Sequence, residues 1–552
     1  MSTPLASRDE SLDAAEAVRL KLPDAARGRP VVVPFPGDVQ GESAWLRAIL
    51  TAPVYDVAQR SALTPATRLS ARLGAEVLFK REDQQPVFSF KLRGAYNKLA
   101  SLNAAERARG VLAVSAGNHA QGVALAGARL GISSKIVMPV TTPAIKVEAV
   151  RALGGEIVLH GDSYDAAAAY GLRLCQQEKR VWIHPFDDAH VIAGQGTVAM
   201  ELIQQCDRID AVFVPVGGGG LAAGMAVYLK ALRPEILLIA VEPADAACLQ
   251  YALHHGAPTP LPQVGLFVDG CAVREVGKLN FELLRERVDA VVTVDTDQVC
   301  AAIKDVFEDT RSIVEPAGAL AVAGMKQYAA QRGTQHAAHG EARGQRWIAV
   351  LTGANMNFDR LLHVTERAEV GEQREALFGV TIPEQPGSFL GFCRSLGSRT
   401  ITEFNYRYAA QASAEVYVGL KLKRGASERA ELSALFAESG YRCQDHTDNE
   451  AAKLHVRHLL GGRAPAGLRE RLIRFEFPER PGALLDFLES LGQGWNITLF
   501  HYRNHGAAYG RVLCGFELPE DQDRELEQVL ARLAWRFEDE TQNPALRQFL
   551  SA

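Results

Sequence analysis

The sequence predicts an α/β domain of alternating strands and helices, followed by a tandem pair of small α+β units. Three observations predict it. From about residue 46 to 365, apolar runs of strand length alternate with helical stretches, the pattern of a largely parallel sheet. One of these runs, Ala211-Val212-Phe213-Val214-Pro215-Val216, leads through four consecutive glycines into an apolar helical segment. In the C-terminal third, Pro386-Gly387 recurs as Pro481-Gly482, 95 residues later.

Within the α/β region, Leu112-Ala113-Val114, Lys135-Ile136-Val137-Met138-Pro139 and Glu156-Ile157-Val158-Leu159 are strand candidates for a smaller lobe. Glu76-Val77-Leu78-Phe79-Lys80, the run before the glycines, Leu237-Leu238-Ile239-Ala240-Val241 and Trp347-Ile348-Ala349-Val350-Leu351 are assigned to a larger one. From Ala329 to Arg346 the chain is polar and glycine-containing, and is read as a surface loop.

The internal repeat extends beyond its Pro-Gly pair. Leu396-Gly397 recurs as Leu491-Gly492, and Ile401-Thr402 with Phe404, Tyr406 and Arg407 recurs as Ile497-Thr498 with Phe500, Tyr502 and Arg503. Each copy reads strand, Pro-Gly turn, helix, strand, strand, helix, which fits a β-α-β-β-α-β ferredoxin-like unit with first strands at Leu377 to Ile382 and Leu472 to Phe477. A packed pair is the simplest arrangement; an oligomerisation module is the competing reading.

Composition narrows the class. A chain of 552 residues with 47% hydrophobic content has room for sizeable cores and roughly three or four domains. The net charge of −5, with basic residues interleaved with acids, gives no reason to expect nucleic acid or an anionic membrane as partner. The eight cysteines show no CxxC or zinc spacing, as suits reduced thiols in a cytoplasmic protein. Ala211 to Leu229 carries no charge over 19 residues, but its glycines and Pro215 favour a buried strand, turn and helix over a membrane span. Residues 1–45 read as a mobile extension, mixing charges with Pro23, Pro30 and Pro34 and lacking the apolar core of a secretory signal.

Chemistry enters at Lys91, in Ser89-Phe90-Lys91-Leu92-Arg93-Gly94-Ala95. A lysine between an aromatic and a leucine is either snorkelling at a helix start or buried, and burial favours the neutral amine that forms imines with aldehydes. The run Gly217-Gly218-Gly219-Gly220-Leu221 offers successive backbone N–H groups and a helix N-terminus, a cup for phosphate. Gly218-x-Gly220-x-x-Ala223, with Glu242 about 20 residues on, also satisfies a dinucleotide fingerprint, but that reading leaves Lys91 unexplained. A purely structural turn is a third reading, at a large entropic cost. An amine for an aldehyde and a cup for a phosphate together match pyridoxal 5'-phosphate.

These segments, with Ser115-Ala116-Gly117-Asn118-His119-Ala120-Gln121-Gly122 and Thr352-Gly353-Ala354-Asn355, stand in the order seen in fold-type II pyridoxal-phosphate enzymes. From about residue 46 to the C-terminus the chain resembles the biosynthetic threonine ammonia-lyase (threonine deaminase) family, whose members carry two C-terminal ACT-like domains. The resemblance implies a two-lobed, tryptophan synthase β-like catalytic domain over residues 46–365 and ACT-like domains over 376–448 and 470–542. It also implies roles. Lys91 would hold the cofactor and remove the substrate Cα proton, with Phe90 beside the ring. Gly217, Gly218, Gly219, Gly220 and Leu221 would take the phosphate, Asn118 the ring hydroxyl and Thr352 the pyridine nitrogen. Thr352 stands where serine is frequent, and packing at a strand end is its alternative reading. Ser115, Ala116, Gly117, Asn118 and His119 would receive the substrate carboxylate, although His119 also reads as a satisfied loop histidine.

The implied reaction is dehydrative deamination of L-threonine to 2-oxobutanoate and ammonia, the first step of isoleucine biosynthesis, with L-serine a weaker substrate. Isoleucine would inhibit and valine oppose it through the repeats of a homotetramer. Phe404, Asn405, Tyr406, Phe500, His501 and Tyr502 are the candidate effector residues, and alternating aromatics suit a strand core equally well. Serine dehydratases and serine racemases share the fold and are the nearest alternative; an amino-acid sensor with a silent catalytic domain is one of another class. Several relatives bind a divalent cation near a segment corresponding to Glu242-Pro243-Ala244-Asp245-Ala246-Ala247-Cys248. Cysteine replaces the last carboxylate here, so no metal is expected.

Overall fold

The computed structural model describes residues 41–140, 142–161, 164–335, 344–358, 360–407, 413–449, 468–478, 483–491, 495–503, 509–519, 522–533 and 536–543. They fall into two compact units that divide between Ala368 and Glu369.

The first unit holds two sheets. Strands β1 (Leu63–Pro65), β2 (Glu76–Arg81), β7 (Ala211–Pro215), β8 (Leu237–Pro243), β9 (Ala290–Val294) and β10 (Arg346–Leu351) form a sheet ordered β1-β2-β10-β7-β8-β9. All neighbours are parallel except β1 against β2, where Leu63 faces Lys80. Strands β3 (Val111–Val114), β4 (Ser134–Met138), β5 (Glu156–Leu159) and β6 (Val181–Trp182) form a parallel sheet ordered β5-β4-β3-β6. The predicted strands of both lobes are present; β1, β6 and β9 are additional.

Alternation along the strands supplies both faces of the large sheet with core. Val212 and Val214 pack in one apolar cluster with Ile348 and Val350, while Ala211 and Phe213 pack in another with Trp347, Ala349 and Leu351. Burial on both faces explains why β7 reads as a continuous apolar run, and the uncharged stretch to Leu229 is this strand, its turn and the helix Gly220–Leu232. Helix starts follow local chemistry: Asn103 and Asp295 each form a capping box, and the Asp188 carboxylate caps Ala189–Gln205.

Three sequence boundaries shift. Residues 42–45, assigned to the mobile extension, begin the helix Glu42–Leu50 instead, because Trp45 and Ile49 bury against the large-lobe core; residues 1–40 lie outside the described residues. The loop assigned to 329–346 is helical through Gln335, since Tyr328 packs beside Phe213 and Trp347 and one Gly333 costs only about 1 kcal/mol in a helix. The helix Arg360–Gly371 runs past 365 and contains the division between the units.

The second unit is one eight-stranded sheet built from both repeats. β11 (Glu375–Pro383), β12 (Ile401–Arg407), β13 (Ser413–Lys421) and β14 (Arg442–Asp445) come from the first, and β15 (Glu470–Pro478), β16 (Asn496–Arg503), β17 (Tyr509–Glu517) and β18 (Arg536–Asp539) from the second. The order β14-β11-β13-β12-β16-β17-β15-β18 gives each repeat the ferredoxin-like arrangement and joins them at β12 and β16. Each repeat shifts register at its Ile-Thr pair, between Ile401 and Glu403 and between Ile497 and Leu499. The recurring Pro481-Gly482 and Gly492 lie outside the described residues.

Candidate active site

Lys91 begins the helix Lys91–Ala100, and the residues before it are pinned to a segment some 260 positions away. The Phe90 N–H donates to the Thr352 carbonyl at 3.2 Å, Ser89 and Gly353 form an antiparallel bridge, and the Ala354 N–H donates to the Phe88 carbonyl at 2.9 Å. The Lys91 Nζ donates to the Pro185 carbonyl at 3.1 Å and lies 5.3 Å from the centre of the Phe90 ring. Burial pulls its pKa down to about 8, against the pull of Cys271 and Glu315, so near that pH half the amine is neutral and nucleophilic.

The tetraglycine closes the other side. Gly218 to Leu221 are buried at the start of the helix Gly220–Leu232, and Gly219 takes φ +93°. A Cβ on Gly218 would fall 2.3 Å from the Phe186 ring, so close approach requires glycine there, while the left-handed turn requires it at Gly219. Among the described residues, no protein acceptor takes the N–H groups of Gly217 to Leu221. Buried donors normally have partners, so this row of free N–H groups at a helix N-terminus is a site for an anion. Neighbouring groups are committed: Cys248 Sγ donates to the Gly217 carbonyl at 3.2 Å, and Asn280 Nδ2 to that of Gly218 at 2.7 Å.

The loop from Ser115 to Asn118 follows β3 and is half-buried. Ser115 Oγ accepts from the Gly117 N–H at 3.2 Å, and the helix Asn118–Leu130 starts beside it. His119 turns inward: it is 3% exposed, its Nε2 lies 3.1 Å from the Ile183 carbonyl, and burial pushes its pKa down to about 3. Its ring is thus the satisfied histidine of the two readings, not a group at the loop surface. Thr352 ends in a buried hydroxyl that donates to the Ala317 carbonyl at 2.9 Å, leaving its oxygen as an acceptor. The tetraglycine, the Ser115 loop and Thr352 follow the carboxyl ends of β7, β3 and β10, the ends where open α/β sheets bind ligands.

Sequence reasoning missed three parts of this site. Pro185 and Phe186 stand between Lys91 and the tetraglycine, contacting both; the signal was His184-Pro185-Phe186-Asp187-Asp188 between a strand and a helix. Glu315 is 4% exposed and accepts from Asn118 Nδ2 at 2.5 Å, and burial followed by the charge of Asp269 pushes its pKa up to about 7. Arg93 spends all five N–H groups on Glu82, Glu201, Thr197 and the Gln59 carbonyl, while Lys80 Nζ binds the other Glu201 oxygen. No local pattern marks those partners, which come from distant segments. Glu242 and Cys248 are also committed: the Glu242 carboxylate accepts from the Leu249 and Gln250 N–H groups at 2.7 and 2.9 Å.

In the second unit the two effector triplets meet across the seam, with Phe404 opposite Tyr502, Asn405 opposite His501 and Tyr406 opposite Phe500. Phe404, Tyr406, Phe500 and Tyr502 are core residues, because these side chains project from the packed face of the sheet. None of the six lines the cleft of this unit. That cleft lies between the first turn after β11 and the second repeat, bounded by Glu384, Phe389, Leu488, Trp495 and Phe516. Tyr406 reaches its rim, donating its hydroxyl to Glu384.

A depressed lysine pKa beside a row of free buried N–H groups fits pyridoxal 5'-phosphate, which needs an amine and an anion cup. The chain matches the family model described as pyridoxal-phosphate dependent enzyme over residues 54–353. It also matches the C-terminal regulatory domain of threonine dehydratase over 366–456 and 462–550. Fold and site therefore define a pyridoxal-phosphate-dependent lyase with a regulatory C-terminal unit. The chain is 54% identical to L-threonine dehydratase biosynthetic IlvA of Escherichia coli (strain K12) over 518 residues, 94% of this chain and 99% of that protein. It is 47% identical to the mitochondrial threonine dehydratase of Saccharomyces cerevisiae over 92% of this chain and 89% of that one. The solved structure of processed threonine deaminase isoform 2 from Solanum lycopersicum covers 62% of this chain and 96% of its own, with TM-score 0.58 and 46% identity. The chain belongs to the biosynthetic threonine dehydratase family. Maize serine racemase, at TM-score 0.54 and 31% identity over 58% of this chain and 96% of its own, shares the catalytic fold.

Proposed function

We propose that this chain converts L-threonine to 2-oxobutanoate and ammonia at the site around Lys91, and that isoleucine inhibits it through the second unit, with valine opposing. The observation that carries the catalytic reading is that consecutive residues link the two groups: Pro185 accepts from the Lys91 amine, and Phe186 packs on the glycine turn whose N–H groups have no acceptor among the described residues. When bound, pyridoxal phosphate supplies an aldehyde for that amine and a sink for electrons released at the substrate Cα. Lys91 would hold the group through its amine, and its neutral form would serve as the base for the substrate Cα proton. The glycine turn and Leu221 would anchor its phosphate, Phe90 would pack beside its ring, and Asn118 and Thr352 would offer hydrogen-bonding groups to its ring hydroxyl and pyridine nitrogen. The Ser115–Gly117 turn and the adjoining helix N-terminus receive the substrate carboxylate. A pocket for the threonine methyl gains about 1–3 kcal/mol from it, so L-serine is a weaker substrate giving pyruvate.

For the effector, the second unit offers a solvent-open cleft lined by Glu384, Phe389, Leu390, Leu488 and Trp495. Its apolar wall suits a branched side chain, and Glu384 Oε2 is buried without a partner among the described residues, as an ammonium group requires. The reading extends to a cytoplasmic homotetramer, in line with the family resemblance; among the described residues no helix is long and apolar enough to cross a membrane.

The test is 2-oxobutanoate formation from threonine with and without isoleucine. Faster turnover of serine than threonine would replace the substrate assignment, and isoleucine binding without turnover would favour a sensor. A chain ending near residue 370 retains activity and loses isoleucine inhibition; inhibition that persists moves the effector site elsewhere.

A further inference from the structure

Asn118 is held by two neighbours whose own orientations leave its amide no freedom. Asn355 Nδ2 donates to the Val87 carbonyl at 2.8 Å and to Asn118 Oδ1 at 2.7 Å. The Val87 carbonyl accepts only, which makes the Asn355 group a donor and the Asn118 atom facing it an oxygen. The amide nitrogen of Asn118 is thereby turned to Glu315, donating to its Oε1 at 2.5 Å. Donation spreads outward from the Asn355 amide, to the Val87 carbonyl on one side and through the Asn118 amide to the Glu315 carboxylate on the other.

The surrounding backbone is shaped around this contact. Glu315 donates its own N–H to the Gly353 carbonyl at 3.1 Å. A Cβ on Gly353 would sit 2.3 Å from Glu315 Oε1 and 3.1 Å from Asn118 Nδ2, so glycine is needed for the acid and the amide to meet.

We propose that Glu315 is a positioning residue that fixes the donor face of Asn118, so that the second N–H of Asn118 Nδ2 is presented to the cofactor's ring hydroxyl. Donation there favours the ionised ring oxygen, and a flipped amide would present a lone pair and oppose it. The inference rests on the reading that Asn118 faces that hydroxyl. Burial that raises the Glu315 pKa to about 7 leaves it able to accept in either state, because a protonated carboxyl keeps its carbonyl oxygen.

The test compares Glu315→Gln with Glu315→Ala in the full-length holoenzyme, reading the pH midpoint of the cofactor absorbance and the dissociation constant for pyridoxal phosphate, with circular dichroism to confirm folding. Glutamine retains an accepting oxygen, so its midpoint stays near wild type and its affinity within about threefold. Alanine releases the amide, raising the midpoint and weakening cofactor binding by about tenfold, the scale of one buried hydrogen bond. Asn355→Ala reproduces the alanine effect, and the double variant adds little, as expected of one chain. Equal impairment by glutamine and alanine, or an unchanged midpoint in Glu315→Ala, overturns the proposal. Asn118→Ala separates the two levels: no spectral change there removes the underlying reading, whereas a change there without one in Glu315→Ala removes only the orienting role.

Discussion

The N–H of Phe90 donates to the carbonyl of Thr352 across 3.2 Å, tying the residue before Lys91 to the end of β10. One hydrogen bond and the adjoining Ser89–Gly353 bridge thus set the lysine's position against the rest of the site. Lys91 is held at its own end by backbone, not by a side chain that a single substitution removes.

Removing the amine should therefore abolish chemistry without unfolding the site. Lys91→Ala is expected to lose the Schiff-base absorbance and to lower 2-oxobutanoate formation by at least about 10²-fold, the usual scale for a general base. Substantial turnover by that variant, measured with the cofactor present, would falsify the assignment.

Loading of the cofactor should depend on pH through the same amine. With Lys91 at about 8, the neutral fraction grows about tenfold per unit below that value and levels off above it. The rate at which the cofactor-free protein takes up pyridoxal phosphate should rise between pH 6 and 8 and then flatten, followed by absorbance in a stopped-flow instrument.

Close approach at Gly218 makes a further prediction. Gly218→Ala forces a methyl group into the Phe186 ring, at a cost of about 1–3 kcal/mol, and weakens cofactor binding. Urea unfolding should show the loss, and Phe186→Ala in the same chain should recover part of it.

The charge network beneath the Lys91 helix predicts a larger effect. Arg93, Glu82, Lys80 and Glu201 are all fully buried, with two cations balancing two anions. Arg93→Met leaves an acid uncompensated and should cost about 3–5 kcal/mol in denaturant unfolding. Arg93→Lys, which keeps charge but cannot make the two-point contact with Glu82 while also reaching Glu201, should fall between.

Buried acids should make the cofactor-free protein less stable as pH rises. Burial raises Glu242 to about 7, above an unfolded value near ~4.3. Between these values the unfolded chain releases its proton first, so the stability present below the unfolded pKa is lost as pH climbs through about 7. Glu242→Gln should flatten part of the decline in melting temperature across that window, read by differential scanning fluorimetry. Glu315, raised to a similar value, supplies another part.

Much of the fold was legible because its signals are local. Apolar runs such as Trp347 to Leu351 state strand and burial within a few residues, and the recurrence of Ile401-Thr402 at Ile497-Thr498 located both repeats before any pairing was known. Where prediction slipped, packing overrode composition: residues 329–335 look like a polar loop but continue a helix anchored at Tyr328. The two candidate effector triplets pair across the seam, yet the sheet turns Phe404, Tyr406, Phe500 and Tyr502 into the core and leaves the cleft to Glu384 and its neighbours.

By itself the sequence determined the chemistry on offer: an amine at Lys91, an anion cup at Gly217 to Leu221, an amide at Asn118 and a duplicated C-terminal unit. These are matters of residue type and short spacing, and they survive any arrangement of the chain. Only the tertiary structure decided which groups meet. Glu315 reaches Asn118 from 197 positions away, Phe186 covers Gly218, and β12 joins β16. Contacts of that kind depend on strand order and on which buried polar groups find partners, and neither is written in the neighbourhood of the residues concerned.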